Sequence, residues 1–276
     1  MIRTVISATT LAAAPFAAQA QTSGSWEVQV EPTECSLVRN QQGAAPGLLA
    51  VRTVPGTDEI VVLVSGKDVP SRARDARFPA RLTFDDSKPI EIKAAAMGKL
   101  ASGPAFLLTG FKPDMLDGFA AAHRVNVGTE SSSFIAFDVP QARAAIGALR
   151  KCVNDLLVDW GADPAQFAPG GTPPVALKPR EAWLSRAQLM DVVGTTADEQ
   201  IDDLFRVTVA ADGTIASCKR EEAKANAKTE KLGCAPVAGQ KLFTPAKNAA
   251  GAPVTGAAAF RIRLVQQAKT ERGTTR

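Results

Sequence analysis

The sequence predicts an α+β protein in two parts: an N-terminal β-rich domain closed by a long helix, and a small second domain whose antiparallel sheet has a helix packed on one face. Three observations predict it. Short alternating or β-branched runs fill the first half, from Trp26-Glu27-Val28-Gln29-Val30 to Phe134-Ile135-Ala136-Phe137. A single long stripe follows them, with Ala142, Ile146, Leu149, Val153, Leu156 and Trp160 at helical spacing. Beyond a proline-rich seam, Asp212-Gly213 sits between two further alternating runs.

The chain opens on Arg3, an apolar run through Leu11-Ala12-Ala13-Ala14, and Ala18-Gln19-Ala20. A basic start, about a dozen apolar residues and an A-x-A site make residues 1–20 a secretory signal peptide, cleaved after Ala20. The segment is shorter than the roughly 20 apolar residues a membrane span needs, so no transmembrane segment is expected in the mature chain. The 276 residues are 45% hydrophobic and 22% charged, which excludes a disordered chain. A net charge of +4 spread over that length gives no case for a nucleic-acid partner.

Residues 21–161 form the first predicted domain. Trp26, Val28 and Val30 share one face of a strand. Leu48 to Val54 and Ile60 to Val64 flank a Pro55-Gly56 turn, and Arg81 to Phe84 and Ile90 to Lys93 flank Asp85 to Pro89. Phe106-Leu107-Leu108 and Phe134 to Phe137 add strands, with a short helix from Pro113 to Ala122 between them. Pro140 to Trp160 is the long helix, stopped at Gly161. Residues 162–180 hold Pro164, Pro169, Pro173, Pro174 and Pro179 around Gly170-Gly171, which blocks helix and ladder and predicts an exposed linker.

Residues 181–276 form the second. Glu181 to Val193 reads as a helix with Trp183, Leu184 and Met190 toward the core. Phe205 to Ala210 and Ile215 to Lys219 form a hairpin about Asp212-Gly213, with Val209 opposite Ala216 and Val207 opposite Cys218. A short helix within Thr229 to Gln240 covers the Phe205, Val207, Val209 face, and Phe260, Ile262 and Leu264 mark the last strand. The tail from Gln266 is polar.

Four cysteines in an exported chain predict two disulfides, for which three connectivities exist. Cys152 sits at the margin of the long helix stripe and Cys35 follows the first strand that such a helix covers, so Cys35 pairs with Cys152. Cys218 shares the buried hairpin face that the segment carrying Cys234 covers, so these two pair.

The second domain carries a further signal. Phe205-Arg206-Val207-Thr208-Val209, Asp212-Gly213, Phe243-Thr244-Pro245-Ala246, Gly251-Ala252-Pro253-Val254 and Phe260-Arg261-Ile262 stand in the order "V-x-V-x-x-D-G", "F-x-P-A", "G-x-P-V" and a closing strand. Residues about 200–265 thereby resemble the C-terminal domain of the TonB energy-transducer family. The resemblance implies a periplasmic module whose sheet edge accepts an extended peptide as an added strand. It does not extend to an anchored energy transducer, because the leader is removed and the linker is short. Residues 21–161, with a W-x-V start, an early cysteine, Gly110-Phe111 ahead of a helix, and a closing helix, are similar to the invasion-associated locus B family.

No catalytic set emerges. His123 is the sole histidine and follows a helix, where a cation is favoured without catalysis. Ser131, Ser132 and Ser133 lack a G-x-S-x-G elbow. The acid pairs Asp85-Asp86, Asp202-Asp203 and Glu221-Glu222 are chain neighbours, which point to opposite faces of a strand or lie in turns. No Cys/His spacing suits zinc, and no cofactor motif is present. Arg206, Lys219, Arg261 and Arg263 form a basic row that suits a binding face. The expected function is therefore a periplasmic, non-enzymatic protein-binding or adaptor module of the cell envelope. The rival expectations are a hydrolase with its site between the domains, and a peptide- or polysaccharide-binding protein with Trp26 or Trp160 exposed.

Overall fold

The computed structural model of the chain describes residues 24–42, 46–193, 200–221 and 227–265. The expected leader, the tail from Gln266 and Glu222 lie outside the described residues. The first half supplies β1 (Trp26–Glu31), β2 (Glu34–Gln41), β3 (Gly47–Thr53), β4 (Ile60–Gly66), β5 (Arg77–Phe84), β6 (Ile90–Leu100), β7 (Gly103–Thr109), α1 (Met115–Ala121), β8 (Arg124–Gly128), β9 (Ser133–Asp138) and α2 (Ala142–Asp159). Its strands make one antiparallel sheet of nine, in the order β1-β2-β3-β4-β7-β6-β5-β8-β9. Alternate residues Leu37, Leu49, Val62, Leu108, Ala94, Leu82, Val125 and Phe137 are all buried in one core with Phe119 and Ile146.

This architecture corrects the expected fold class. The protein is mostly β, and a long helix does not close the front part. The sheet closes on itself instead. Arg39 Nε donates to the Asp138 carbonyl at 3.1 Å, the Gln41 amide nitrogen donates to the Ala136 carbonyl at 3.5 Å, and the Asp138 N–H donates to Gln41 Oε1 at 3.3 Å. The ladder thus bends until β9 lies beside β2, and Phe106 on β7 meets Phe134 on β9 edge-on at 5.5 Å. Helix α2 packs on α1, β1 and β2 and reaches the second sheet. Sequence periodicity found a real helix but could not show that polar side chains of β2 hold β9 beside it.

The second half supplies β10 (Val175–Ala176), α3 (Arg186–Val193), β11 (Gln200–Val209), β12 (Ile215–Glu221), α4 (Ala227–Cys234), β13 (Phe243–Thr244), β14 (Ala246–Lys247), β15 (Pro253–Val254) and β16 (Gly256–Val265). Its main sheet is β12-β11-β16, antiparallel throughout. Phe205, Val207, Val209, Phe260 and Ile262 bury one face against Trp183, Leu184, Val237 and Phe243. Helix α3 starts later than periodicity suggests, because Ser185 and Gln188 form a reciprocal cap: the Ser185 N–H donates to Gln188 Oε1 and the Gln188 N–H to Ser185 Oγ. Met190, expected in the core, is exposed. The proline-rich stretch also carries structure, since Val175 and Ala176 pair with Thr244 and Phe243.

The hairpin turn differs in type from the expected two-residue form. Only Gly213 has positive φ, at +90°, and the Ala210 N–H donates to Thr214 O. A type I turn completed by a left-handed glycine leaves one extra residue on the returning strand. Val209 therefore faces Ile215 rather than Ala216, while Val207 faces Cys218.

Both expected bridges are present, Cys35–Cys152 and Cys218–Cys234, closing separations of 117 and 16 residues. No described helix is long and apolar enough to cross a membrane.

Candidate functional site

The two sheets meet through a third apolar cluster. Val54, Leu157, Trp160 and Ala162 are buried against Leu204, Ala257 and Ala259. The expected basic row lies on this same face, because register puts Arg206 opposite Lys219, and Leu204 opposite Arg261. Each member has an acidic neighbour. Arg206 and Lys219 approach Glu221 at 2.7 and 3.8 Å. Arg261 bonds Glu59 of the first half at 3.1 Å and Asp202 at 2.8 Å, and Arg263 reaches the same two acids at 3.2 Å. Burial pushes the Asp202 carboxyl up, but the hydrogen bonds and charges of the two arginines outweigh it and hold the group below the usual carboxylate range. Arg261 and Arg263 therefore join the two halves electrostatically, while Arg206 and Lys219 are neutralised within the second half.

The remaining titratable candidates are dispersed. His123 is 92% exposed and sits 3.8 Å from Asp85. The Asp85 carboxylate accepts the backbone N–H groups of His123 and Arg124, and these bonds hold it below the usual range. Asp85 thus fastens the β5–β6 turn to the start of β8. Ser131 to Ser133 line a separate hollow with Arg81 and Asn126. Asp203 is buried against Arg220 at 2.8 Å, on the sheet face opposite Asp202. Trp160 is buried, and Trp26 is half-buried, its indole N–H donating to Pro140 O.

What the fold does bring together is an edge and a groove. The Ala259 N–H donates to Gly56 O at 2.9 Å, away from β11. Backbone groups alternate along an antiparallel strand, so the N–H and C=O of Arg261 point to that same outer side. There a groove of about 790 Å³ opens between Phe260 and Arg261, the Thr57–Glu59 turn and the extended residues 173–180. Val175 and Leu177 stand exposed at 59% and 56%. Arg180 crosses the groove end, bonding Asp58 at 3.1 Å and Gly56 O at 3.0 Å, and its buried Nε has no partner among the described residues.

Arg180, Asp58, Val175 and Leu177 were not legible as site residues. The first pair belongs to a turn and a linker in sequence, and only the docking of one half on the other makes them neighbours. The alternation Val175, Leu177 within the proline-rich stretch is the one local signal that marks it as extended and apolar.

No family model matches the chain, and no curated protein matches it. Among solved structures, invasion associated protein B from Bartonella henselae is similar over 48% of this chain and 95% of its own, at 13% identity and a TM-score of 0.34. The TonB-like resemblance of residues about 200–265 has no counterpart in these comparisons.

Proposed function

We propose that the protein is an exported, non-enzymatic binding module of the cell envelope that takes an extended peptide as an added strand on the outer side of β16. The observation that carries this reading is the outward backbone of Arg261 beside the 790 Å³ groove. Main-chain pairing there supplies affinity independent of sequence, and Val175 and Leu177 supply an apolar wall for alternate side chains of the guest. Two disulfides suit an oxidising compartment such as the periplasm. The TonB-like motif order of residues about 200–265 supports the same use of a sheet edge, without implying membrane anchoring or force transmission.

The test uses the full chain in the envelope, with a photocrosslinking residue at Val175 or Leu177 and a control at the exposed Met97 of β6. The expected result is one adduct, shared by positions 175 and 177 and missing at 97, with slowed amide exchange at Arg261 in the purified complex. Identical adducts from position 97, or unchanged exchange at Arg261, would reject strand addition.

A further inference from the structure

A second cleft lies away from that edge, between the start of β1, β2 and the first turns of α2. Its volume is about 520 Å³, within the roughly 300–1,000 Å³ of small-molecule sites. Trp26, Val28, Leu37, Ala144, Ala145 and Ala148 make its walls largely apolar. One charged side chain is set into it. Arg39 is only 7% exposed, its Nε is held by Asp138 O at 3.1 Å, and its guanidinium carbon lies 5.5 Å from the Trp26 ring centroid.

The environment of that cation is incomplete. Among the described residues no ion pair to Arg39 is formed, and Asp138 is the one carboxylate acting on its charge. Asp138 acts on it only through space, its own close cation being Arg124 at 3.9 Å. Burial pulls the guanidinium below the ordinary arginine range, with Asp138 partly opposing. A desolvated guanidinium with no anion is costly, and Arg39 stands in the lining of the cleft. Gly24 passes over them so closely that a side chain there would stand 3.3 Å from the guanidinium carbon.

An independent feature favours the same charge. Helix α2 is 18 residues long and begins at this cleft, with Gln141 and Ala144 on the wall. Its N-terminus has no side-chain cap and no acidic residue in the first turn. The first N–H groups of a helix carry partial positive charge and favour an anion.

We infer that this cleft binds a small monocarboxylate with an apolar body, the carboxylate held by the Arg39 fork near the start of α2 and the body lying on Trp26 and the alanine face. A lone guanidinium in apolar walls matches one carboxylate better than a phosphate dianion, which needs more cationic partners. Ala144 and Ala148, one turn apart and both exposed, leave the space a flat acyl or aryl body fills.

The experiment is calorimetric titration of the full chain with octanoate, 1-octanol and inorganic phosphate. Octanoate is expected to bind saturably at one site, at least tenfold tighter than either 1-octanol or phosphate. Arg39→Met is expected to weaken octanoate at least tenfold. Since that variant also loses the Asp138 contact, Ala148→Phe provides the second arm: it keeps Arg39, fills the cleft from an exposed helix position, and is expected to lose tenfold or more in affinity with an unchanged melting temperature. Octanoate and 1-octanol binding equally, Ala148→Phe binding like the unmodified chain, or no saturable binding at all would each overturn the inference.

Discussion

In the front sheet the last strand, β9, is brought back to β2 and held there by Arg39 and Gln41, and a disulfide spanning 117 residues ties that sheet to α2. In the rear sheet β16 ends a ladder of three, its disulfide spans 16 residues, and its outer side meets the turn around Gly56 and then a groove. A nine-stranded sheet is long enough to bend until β9 comes beside β2, where side chains rather than a backbone ladder hold it. Three strands cannot close, so the smaller unit buries one face on its own helices and lays the other on the front unit. In the rear sheet the outward backbone of β16 lies beside apolar side chains of the connecting segment.

The two halves differ most in their disulfides. Replacing Cys35 and Cys152 together with alanine is expected to cost about 5 kcal/mol in the chain-entropy account, and the Cys218/Cys234 double replacement about 3 kcal/mol. Denaturant midpoints measured on both would contradict the contrast if the rear pair cost as much as the front pair. The next effect is expected at the rear hairpin. Gly213 has φ +90°, and a Cβ there would collide with Phe243 O, so Gly213→Ala should lower stability by roughly 2–3 kcal/mol in thermal unfolding. A loss below about 0.5 kcal/mol would show the turn to be free to change type.

Smaller effects sharpen how the halves are joined. Glu59→Gln leaves Arg261 and Arg263 with Asp202 alone and is expected to cost about 1 kcal/mol, with the loss shrinking in high salt. Equal loss at low and high salt would assign the effect to packing. Asp202 has a depressed folded pKa, so its contribution is complete above its unfolded pKa and is lost as pH falls below about 4. The Asp202→Asn variant should accordingly show a flatter acid limb in a stability–pH profile, and an unchanged limb would refute the sign of that linkage.

Much of the local structure was readable from the chain. The α2 stripe, the Pro55-Gly56 turn and the Asp212-Gly213 hairpin appear because each depends on neighbours in sequence. The strands that escaped notice, β2 and β8, mix polar residues into positions that sequence alone assigns to solvent. Arg39 occupies the inward face of β2 beside Leu37, where an apolar residue is the ordinary expectation. The site was less legible still. Arg261 and Arg263 read as a free basic row because Glu59 lies some two hundred residues away and only docking sets it opposite them.

The sequence by itself determined the buried hairpin face, the short-range Cys218–Cys234 bridge beside it and the long helix, since patterns of period two or 3.6 and the reach of two nearby sulfurs are local geometry. Tertiary structure alone decided that Arg39 and Gln41 hold β9 beside β2, that Arg261 and Arg263 are neutralised between the halves, and that the edge of β16 borders a groove. Those outcomes depend on which surfaces meet at long range, where side chains distant in the chain compete for the same hydrogen bonds and charges.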